Sequence, residues 1–560
     1  MGRSHHRTSG GVAGCVLLPA KAIHELHEIH EQNKSLDSEY DLIIIGAGIN
    51  GAGIARDAAM RGLRVLLLDK RDIGGGTSAW STRLIHGGLR YLEHAEFGLV
   101  RESLREREIL MRIAPHLVQP LPLLVPIYDG AGRGRWTIRA GMWAYDLLSF
   151  DKTLPRHRFL KRNQTVHAAP SLDPNGLEGA AVYYDAQVEF AERLVLENVL
   201  SAIENGATLL TYTRVRSFIT QDHTLSAIEL VNERTDEVFH ASAKLIINAA
   251  GPWVDEVLEK IAGSQRLVGG TKGSHIIVSV FSGAPGVAVY VEAERDGRPF
   301  FIIPWNNKYL IGTTDIRFEG KPDDVSISDD EIDYLLRETN RILPAAGLNR
   351  TDILYAYSGV RPLPYTSEKK EARITRRHFI RQHRVFDNLF SIVGGKLTTY
   401  RSLAEETVDL VFRKLNRRSP ACRTDRVLLP GAFSVTNDQD PRMQRTYGAR
   451  SKMVSRLIAD DRSLAEVIDE ETGATAAEIV HAFRNEMAAT LADCLLRRTM
   501  VGFNSRCGLN AVEAAAEVGR KHFGWTDEQC AREMNDYRET VRRYLLPPSY
   551  PSAAVPHPLR

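Results

Sequence analysis

Apolar positions in the first part of the chain form two short continuous runs separated by a stretch with helical spacing. Leu42 to Ile45 is an apolar, β-branched run that is too short for a helix, and Val65 to Leu68 is a second run of the same kind. Ile54 to Arg61 lies between them and has the periodicity of a helix. The pattern predicts two buried strands joined by a helix, with Asp69 directly after the second strand.

Three glycines occupy the turn between the first strand and the helix. Gly46, Gly48 and Gly51 follow the spacing G-x-G-x-x-G. In this motif the first glycine makes a tight turn, the second admits a pyrophosphate, and the third lets helix and strand pack closely. The helix N-terminus would direct free N–H groups at the phosphates, and Asp69 would accept from a ribose hydroxyl. We predict a Rossmann-like dinucleotide site; the alternative is a tight turn without a ligand.

A polar loop follows, from Ile73 to His94, and mixes glycine, serine and threonine with tryptophan and leucine. Buried polar groups need hydrogen-bond partners, and a large cofactor would supply them. We therefore expect cofactor contacts from Thr77, Ser78 and Ser81. Arg90 would be an uncompensated charge beside such a loop unless an anion meets it. A flexible surface loop is the alternative interpretation.

The middle of the chain returns to the nucleotide-binding region and then changes to strands. Asp185, Glu189 and Arg193 have the spacing of one helical face, and the strand predicted from Ala243 to Ala249 ends in a turn of small residues. Residues 270–380 alternate in short strands around one acidic helix. This pattern predicts an antiparallel sheet that covers the cofactor.

The C-terminal part of the chain carries the signals of a helical bundle. Thr475 begins a capping box ahead of an apolar stripe from Ile479 to Cys494, which predicts one helix, and Thr526 begins another. Arg497 and Arg498 are interpreted as charges that complement a helix dipole. The bundle has no catalytic constellation of its own, and packing, dimerisation and docking remain open as its role.

Composition describes an ordinary soluble protein with about two to four domains. The 560 residues are 43% apolar and 25% charged, and the net charge of +2 argues against bulk nucleic-acid binding. The five cysteines have no zinc spacing and favour a reducing compartment. Residues 1–37 are interpreted as a flexible extension whose histidines form a solvated tail rather than a metal site. No apolar run is long enough to span a membrane.

Five further stretches carry a family resemblance. They are TSAWSTRLIHGGLRYLEH (77–94), NAAGPW (248–253), KGSH (272–275), YSGVRPL (357–363) and GGKLTTYR (394–401). Over about residues 38–545, the chain resembles the FAD-dependent glycerol-3-phosphate dehydrogenases of the quinone-linked respiratory type. The blocks HGGLRYLE, KGSH and GGKLTTYR are specific to this group, whereas many nucleotide-binding proteins share the first glycine motif.

The resemblance implies an α/β (α+β) fold in several parts. The expected divisions are an extension (1–37), a discontinuous Rossmann-like FAD-binding domain (38–115, 185–265 and 381–414), an antiparallel-sheet substrate or cap domain (116–184 and 266–380), a linker (415–441) and a C-terminal α-helical domain (442–550). It also implies a reaction, in which sn-glycerol 3-phosphate is oxidised to dihydroxyacetone phosphate by hydride transfer to FAD. Electrons would then pass to a membrane quinone, from a cytoplasmic enzyme attached peripherally to the inner face of the cell membrane.

The resemblance and the residue chemistry together identify a substrate site. Arg90, Arg361 and Arg376 would clamp the phosphate, because guanidinium forks match phosphate and keep their charge, and Tyr91 would add a neutral donor. His275 is our first choice for the group that takes the hydroxyl proton, because its ordinary pKa is near operating pH. Lys396 is the second choice, or instead holds negative charge on substrate or reduced flavin. The cofactor contacts implied in this way are Gly46, Gly48, Ile49, Asn50, Gly51, Asp69, Lys70, Thr77, Ser78, Ser81, His86, Gly87, Gly88, Val215, Asn248, Ala249, Gly251, Gly395, Lys396, Leu397 and Thr398.

A basic and aromatic segment lies within residues 130–162. Its members are Arg133, Arg135, Arg139, Lys152, Arg156, Arg158, Lys161 and Arg162 among Trp136, Ile138, Met142, Trp143, Leu147 and Leu148. Cations mixed with aromatic residues suit an anionic lipid surface, and the resemblance to quinone-linked enzymes favours this peripheral contact. An amphipathic helix packed on its own core is the alternative.

Other functions remain open from the sequence. An oxidase of the same architecture would use oxygen as acceptor, and an amine or amino-acid oxidase would share the flavin site, although a cationic phosphate clamp argues against amine substrates. A flavin-binding protein without turnover, such as a structural or RNA-modification partner, would keep the glycine motif without needing Arg90, Arg361 and His275 together. The sequence also leaves open a homodimer.

Overall fold

The apolar runs around Leu42 and Val65 form two adjacent inner strands of a parallel sheet, and each run is fully buried. The structure is a computed structural model and describes residues 39–93, 95–130, 134–261, 263–366, 376–432 and 440–546. The predictions for residues 1–37 and for Arg133 lie outside these residues.

The described residues form strands in the following chain order. They are β1 (Tyr40–Ile45), β2 (Val65–Leu68), β3 (Leu84–Ile85), β4 (Val118–Tyr128), β5 (Arg158–Lys161), β6 (Leu177–Val188), β7 (Thr208–Leu210), β8 (Thr213–Gln221), β9 (Thr224–Asn232), β10 (Val238–Ala241), β11 (Ala243–Asn248), β12 (Thr271–Val278), β13 (Ala288–Glu292), β14 (Pro299–Trp305), β15 (Lys308–Gly312), β16 (Ile316–Arg317), β17 (Ile353–Arg361), β18 (Phe379–Gln382), β19 (Leu389–Val393), β20 (Val467–Asp469) and β21 (Ala474–Thr475).

The helices of the described residues follow the same order. They are α1 (Ile49–Met60), α2 (Phe97–Ile113), α3 (Arg135–Leu148), α4 (Arg162–Ala168), α5 (Ala191–Glu204), α6 (Val254–Leu258), α7 (Asp329–Ile342), α8 (Tyr400–Lys414), α9 (Pro441–Tyr447), α10 (Ser451–Asp460), α11 (Ala476–Asn485), α12 (Leu491–Arg497), α13 (Val512–Phe523) and α14 (Asp527–Val541). None of these helices is long and apolar enough to cross a membrane.

Two large sheets organise the fold. The first has the strand order β18-β19-β11-β1-β2-β7, with parallel pairs throughout except at the edge strand β18. The second has the order β16-β12-β15-β14-β13-β4-β6-β3, with β17 added to β12 and β5 to β6. The predicted sheet over residues 270–380 is confirmed, except that β13 runs parallel to β4. The α/β (α+β) fold class is therefore correct.

Three local predictions need correction. Helix α1 begins at Ile49 rather than Ile54, so the glycine turn opens directly into the helix. Asp185 lies in strand β6 and not on a helix, because residues 177–188 pair along their length with β4. The stripe from Ile479 to Cys494 is divided between α11 and α12, because Met487 takes a left-handed backbone conformation with φ of 55°.

Helix α5 connects the first sheet to the C-terminal helices. Its charged residues Glu192, Arg193 and Glu197 are buried, and each has a partner on another element. Glu192 pairs with Arg83, Arg193 with Glu486, and Glu197 accepts from His116 and from the Gly431 N–H. The chain from residue 38 onward is one compact unit, and the domain boundaries given above stay predictions.

Candidate active site

A groove opens at the carboxyl end of the parallel sheet, where β1, β11 and β19 end in glycine turns. The turns are tight. A Cβ on Gly46 would lie 2.7 Å from the carbonyl oxygen of Ala249, and one on Gly51 would lie 1.8 Å from that of Gly46. A Cβ on Gly48 would meet only the Ser78 hydroxyl, at 3.5 Å. Gly46 and Gly51 are therefore required by backbone packing, whereas Gly48 keeps the groove open.

Asp69 and Ser78 fix the backbone that lines this groove. The Asp69 carboxylate accepts from the N–H groups of Ala47 at 2.7 Å and Arg71 at 2.9 Å. Burial raises the pKa of Asp69 to about 6, against those two hydrogen bonds. The Ser78 hydroxyl accepts from Ile49 N–H at 3.0 Å, at the start of α1. Polar side chains thus hold the glycine turn and present further acceptors to a ligand.

The groove collects most of the predicted cofactor residues. Its lining includes Gly46, Gly48, Ile49, Asn50, Asp69, Lys70, Thr77, Ser78, Ser81, Val215, Ala249, Gly251, Gly395, Lys396 and Leu397. Gly51, His86, Gly87, Gly88, Asn248 and Thr398 are not in this lining. Asn248 instead donates to Val254 O and accepts from Ala250 N–H, and Thr398 accepts from His86 N–H. Asn248 and Thr398 thus stabilise the backbone next to the groove.

Sequence reasoning missed the four groove residues between positions 253 and 260. They are Trp253, Glu256, Val257 and Lys260. Lys70 lies 5.0 Å from the centre of the Trp253 ring and pairs with Glu256 at 3.1 Å. The NAAGPW block was the available signal, because its turn leads directly into α6.

A cluster of arginines lies around one buried carboxylate. Asp315, between β15 and β16, accepts from Arg361 at 3.1 Å and Arg376 at 3.0 Å, and Arg298 lies 3.3 Å away. Arg361 also donates to the Thr313 hydroxyl at 3.0 Å. Burial alone would raise the pKa of Asp315, but Arg361 and Arg376 lower it below its ordinary value. Asp315 therefore stays ionised and holds the two predicted clamp arginines together.

Two strand glycines make room for the reactive side chains. In the register of β12 and β17, Thr271 is opposite Arg361, and the Arg361 guanidinium folds back over Gly273. A Cβ on Gly273 would lie 2.2 Å from a guanidinium nitrogen. A Cβ on Gly312 would lie 2.4 Å from the His275 ring. Glycines inside strands mark such close approaches, and this was a signal that sequence reasoning passed over.

His275 lies in β12 of the large sheet, between Gly312 of β15 and Tyr357 of β17. Its Nε2 lies 2.9 Å from the Thr82 hydroxyl, and its ring packs against Tyr357 with centroids 4.8 Å apart. Burial, followed by the nearby charges of Arg361 and Arg83, lowers the pKa of His275 well below its ordinary value. The imidazole is therefore neutral, and its Nδ1 is buried without a partner among the described residues.

Lys396 brings a perturbed amine to the same region. Burial lowers the pKa of Lys396 to about 7, against the attraction of Glu102 and Glu96. The ammonium lies 4.0 Å from the centre of the Tyr91 ring, and Nζ has no hydrogen-bond partner in the part of the chain that the structure describes. A buried donor without a partner indicates a ligand site.

Arg90 and Tyr91 lie in the 3-10 turn Leu89–Leu92. Burial raises the pKa of Tyr91, and the charges of Arg376, Arg361 and Arg90 oppose that effect. All three predicted clamp arginines therefore lie near one phenol. The structure brings together the predicted set of Arg90, Tyr91, Arg361, Arg376 and Lys396, and adds Thr82, Thr313 and Asp315, which had no sequence signal.

Comparison with known proteins decides the family. Residues 41–410 match the family model of the FAD dependent oxidoreductases, and residues 391–530 match the C-terminal domain of alpha-glycerophosphate oxidase. A glycerol-3-phosphate dehydrogenase of Synechocystis is 48% identical over 540 residues, which are 91% of this chain and 98% of that protein. The chain belongs to the FAD-dependent glycerol-3-phosphate dehydrogenase family. FAD is accordingly the cofactor of this flavoenzyme.

Two further relatives bear on this family membership. The D-erythritol 1-phosphate dehydrogenase of Brucella abortus is 39% identical over 491 residues, 82% of this flavoenzyme and 94% of that protein. The crystal structure of the Bacillus halodurans glycerol-3-phosphate dehydrogenase with FAD is 28% identical, with a TM-score of 0.76, and the match covers 95% of this chain and 99% of that one.

The groove of this flavoenzyme fits FAD on its own geometry. The backbone at Gly48 and Gly251 is open to the groove, with nothing but the Ser78 hydroxyl within 4 Å of an added Cβ at the first and nothing at the second. Helix α1 begins at Ile49, and its first residues line the groove, so the N-terminus of the helix lies where a pyrophosphate would bind. The Trp253 indole N–H and the Lys396 amine are buried without partners among the described residues. Each is a donor that a bound cofactor would satisfy.

Proposed function

We propose that the protein oxidises sn-glycerol 3-phosphate at its secondary carbinol and yields dihydroxyacetone phosphate. The observation that carries the proposal is the cluster of Arg361, Arg376 and Asp315 beside the groove, with Arg90 near the same phenol. The relatives from Synechocystis and Staphylococcus haemolyticus, named as glycerol-3-phosphate dehydrogenases, support the substrate.

The arginine cluster binds the phosphate. Asp315 occupies Nη1 of Arg361 and Nη2 of Arg376. Nη1 of Arg376 is buried and has no partner among the described residues, so it is available for a phosphate oxygen. Arg90, in the turn that also carries Tyr91, adds a third cation, and Tyr91 adds a neutral donor. Phosphate binding at this remote end positions the carbinol carbon for reaction, because binding energy fixes orientation.

Lys396 takes the hydroxyl proton. A general base works best when its pKa is near the operating pH, and burial brings the pKa of Lys396 to about 7. His275, our first choice from the sequence, has a pKa well below its ordinary value because of burial and nearby cations, so it is the weaker base. We assign His275 to holding the substrate oxygen through its neutral ring. FAD, when bound, supplies the acceptor for the carbinol hydride.

A second candidate substrate comes from the Brucella relative, which is named for D-erythritol 1-phosphate and is 39% identical. That substrate carries one more carbinol carbon and the same phosphate. The clamp recognises the phosphate in both compounds, so the reaction class is the same, and only the space beyond the carbinol distinguishes them.

Anaerobic reduction of the bound flavin tests the substrate. The purified enzyme, mixed with sn-glycerol 3-phosphate without oxygen, is expected to lose its visible flavin absorbance. Glycerol, which lacks the phosphate, serves as the control. Bleaching by D-erythritol 1-phosphate at much lower concentration would transfer the function to the second candidate. Bleaching by an amino acid alone would contradict both.

We further propose that electrons pass to a membrane quinone at a surface formed by helix α3 and Phe150. Trp136, Trp143, Leu147 and Phe150 are 79%, 63%, 75% and 76% exposed, and exposed apolar patches of this kind indicate an interaction site. Arg135, Arg156, Arg158 and Lys161 are exposed on the same segment, and each cation near an anionic lipid surface contributes about 1 kcal/mol. Only Met142 and Tyr145 of the helix are buried.

A second cavity links this surface to the substrate turn. It lies between α3 and strands β4 and β13. Leu89 and Leu92 line it, and these residues flank Arg90 and Tyr91 in the same turn. An apolar acceptor in this cavity would be separated from the substrate clamp by one turn of backbone.

Two measurements test the acceptor and the surface. Reoxidation of the reduced enzyme is expected to be much faster with a soluble quinone than with oxygen, and faster reaction with oxygen would favour an oxidase. Binding to anionic vesicles is expected to fall in Trp143→Ala, while neutral vesicles bind neither protein. Ile219→Ala, which removes a 41%-exposed side chain from β8, is the control, and an equal loss there would contradict a contact through α3.

A further inference from the structure

The C-terminal helices reach the cofactor loop at one end through a buried ion cluster. Asp72 is 1% exposed and follows Asp69 by three residues. Its carboxylate accepts two hydrogen bonds from Arg498, at 2.8 and 2.9 Å, and one from Arg497, at 2.6 Å. Arg497 and Arg498 lie at the C-terminus of α12. Arg497 also pairs with Asp493 at 2.6 Å. The earlier interpretation as dipole-complementing charges is therefore incomplete, because both side chains bind one carboxylate of the nucleotide-binding region.

The other end of the loop is held by the last described residues of the chain. The Trp80 indole N–H donates to the Tyr544 hydroxyl at 3.3 Å. The Arg543 guanidinium stacks over the Trp80 ring with 3.9 Å between them, which is a cation–π contact. The loop from Asp72 to Trp80 is thus fastened at both ends by residues of the C-terminal part.

The fastened segment carries cofactor groove residues along its length. Gly75, Gly76, Thr77 and Ser78 line the groove. Within the segment, Thr77 donates to Val360 O at 2.7 Å, and Gly74 N–H donates to Ala47 O at 3.0 Å. The loop therefore has internal supports as well, but its two ends depend on the C-terminal residues.

A third contact fixes the C-terminal side of this connection. The Glu486 carboxylate accepts from Arg193 of α5 at 2.5 and 2.9 Å, and the Glu486 carbonyl accepts from Arg498 Nε at 2.8 Å. Arg498 is therefore oriented by a residue that is itself bound to the nucleotide-binding region. A rigid support of this kind is what a precise ligand loop requires.

We propose that the C-terminal helical part is a retention device for FAD, in which Arg497, Arg498, Arg543 and Tyr544 are positioning residues that hold the Asp72–Trp80 loop against the cofactor. The role does not depend on which polyol phosphate the enzyme oxidises. Thermodynamic coupling is reciprocal, so bound FAD also holds these residues in place. The role of the helical bundle, left open by the sequence, is then cofactor binding rather than chemistry.

The rate of FAD release from the holoenzyme tests the proposal. Arg497→Met removes one of two arginines on Asp72 and leaves Arg498 to neutralise the carboxylate, and Arg543→Met removes the cation over Trp80 while keeping an aliphatic side chain. We expect the double variant to release FAD roughly tenfold faster than the unaltered enzyme, measured by the fluorescence of free flavin after dilution. With Arg497→Lys in place of Arg497→Met the charge is kept, and FAD release should be slower than in the methionine variant.

A matched control separates this role from general weakening. Arg538→Met removes an ion pair to Glu513 on the surface of the same helices and should change FAD release by less than about twofold. Equal acceleration in the control, or release within about twofold of the unaltered enzyme in a folded double variant, would overturn the proposal.

Hydrogen exchange on the unaltered protein gives a second, independent readout. Removal of FAD should speed amide exchange in residues 491–499 and 541–546, because the loop end that each segment holds is then free to move. Exchange in α13 serves as the internal reference. Identical exchange with and without FAD in both segments would also refute the coupling, whatever the variants do.

Discussion

Replacement of Lys396 by methionine should make the protein more stable and nearly inactive. The pKa of this amine is lowered by burial from 10.5 to about 7, against the attraction of Glu102 and Glu96. The folded state therefore binds the Lys396 proton more weakly than the unfolded state does. Since the unfolded state holds more protons between pH 7 and 10.5, this group makes the free energy of unfolding rise with pH across that window. Below pH 7 the folded state bears the full destabilisation from burying the charged Lys396 side chain.

The magnitude follows from that difference. At about 1.36 kcal/mol per pKa unit, the drop from 10.5 to about 7 corresponds to roughly 5 kcal/mol. Water at the partly exposed side chain reduces this figure, and methionine also gives up the cation–π contact to Tyr91, which contributes about 0.5–2 kcal/mol. We expect Lys396→Met to raise the free energy of unfolding by about 1–3 kcal/mol at pH 7 and by much less at pH 10.

Denaturant unfolding of the apoprotein at both pH values measures the stability change, and flavin bleaching measures the activity. The rate of flavin reduction should fall by about 10²–10⁴. Lys396→Arg is the control, because it keeps a charge that cannot be removed, and should lose activity without gaining stability. A methionine variant less stable than the unaltered protein at pH 7, or one that reduces flavin within about threefold of it, would refute both the buried-amine argument and the base assignment.

Two further substitution pairs test the clamp and the glycine turn. Arg361→Ala should raise the half-saturating substrate concentration by about 30-fold or more, because a desolvated phosphate partner contributes about 2–5 kcal/mol, while Tyr91→Phe should change it far less; equal, small changes would contradict the clamp. Gly51→Ala should lower the unfolding temperature strongly, because its Cβ would lie 1.8 Å from Gly46 O, whereas Gly48→Ala should keep the fold and weaken FAD binding. Isothermal titration calorimetry of the apoprotein with FAD measures the effect of the two glycine substitutions on binding. Normal FAD affinity in Gly48→Ala would contradict the claim that Gly48 keeps the groove open for the cofactor.

The sequence predicted correctly those helices and strands whose boundaries are determined by residues close to each other in the chain. The strand–turn–helix–strand unit around Gly46 is present, and the capping box at Thr475 and the cap at Thr526 begin α11 and α14 as expected. In each case the signal and the structure involve residues within a few positions of each other. The start of α1 was misplaced by five residues, because glycines with poor helix propensity are tolerated where a tight turn enters the helix.

The failures arise where distant residues override the local pattern. Asp185 has helical spacing with Glu189, yet it lies in β6, where its carboxylate accepts from Arg107 and Tyr145. Arg498 pairs with Asp72 across 426 positions of sequence, so a charge at a helix end gave no indication of its partner. Asp315 could not be predicted for the same reason. Its arginine partners are distant in sequence, and only the folded sheet brings them together.

The substrate site joins these observations into one electrostatic argument. Arg361 and Arg376 both bind Asp315, so their charges lie close together and repel each other. Asp315 offsets that repulsion by accepting hydrogen bonds from both. Arg298 also lies against Asp315 but pairs with Asp296 as well. With Arg90 included, the four arginines and the two carboxylates sum to a formal charge of +2. A phosphate monoester carries about −1.5 to −2 at neutral pH, so the bound substrate supplies the balance that the free protein lacks. Burial lowers the pKa of Lys396 to about 7, so this amine adds only a fractional charge to the sum and its neutral form is available to accept the proton. Burial of Lys396 destabilises the free protein, but it also gives this amine a different role from the arginines. The arginines stay charged and bind the phosphate, whereas Lys396 can accept the proton.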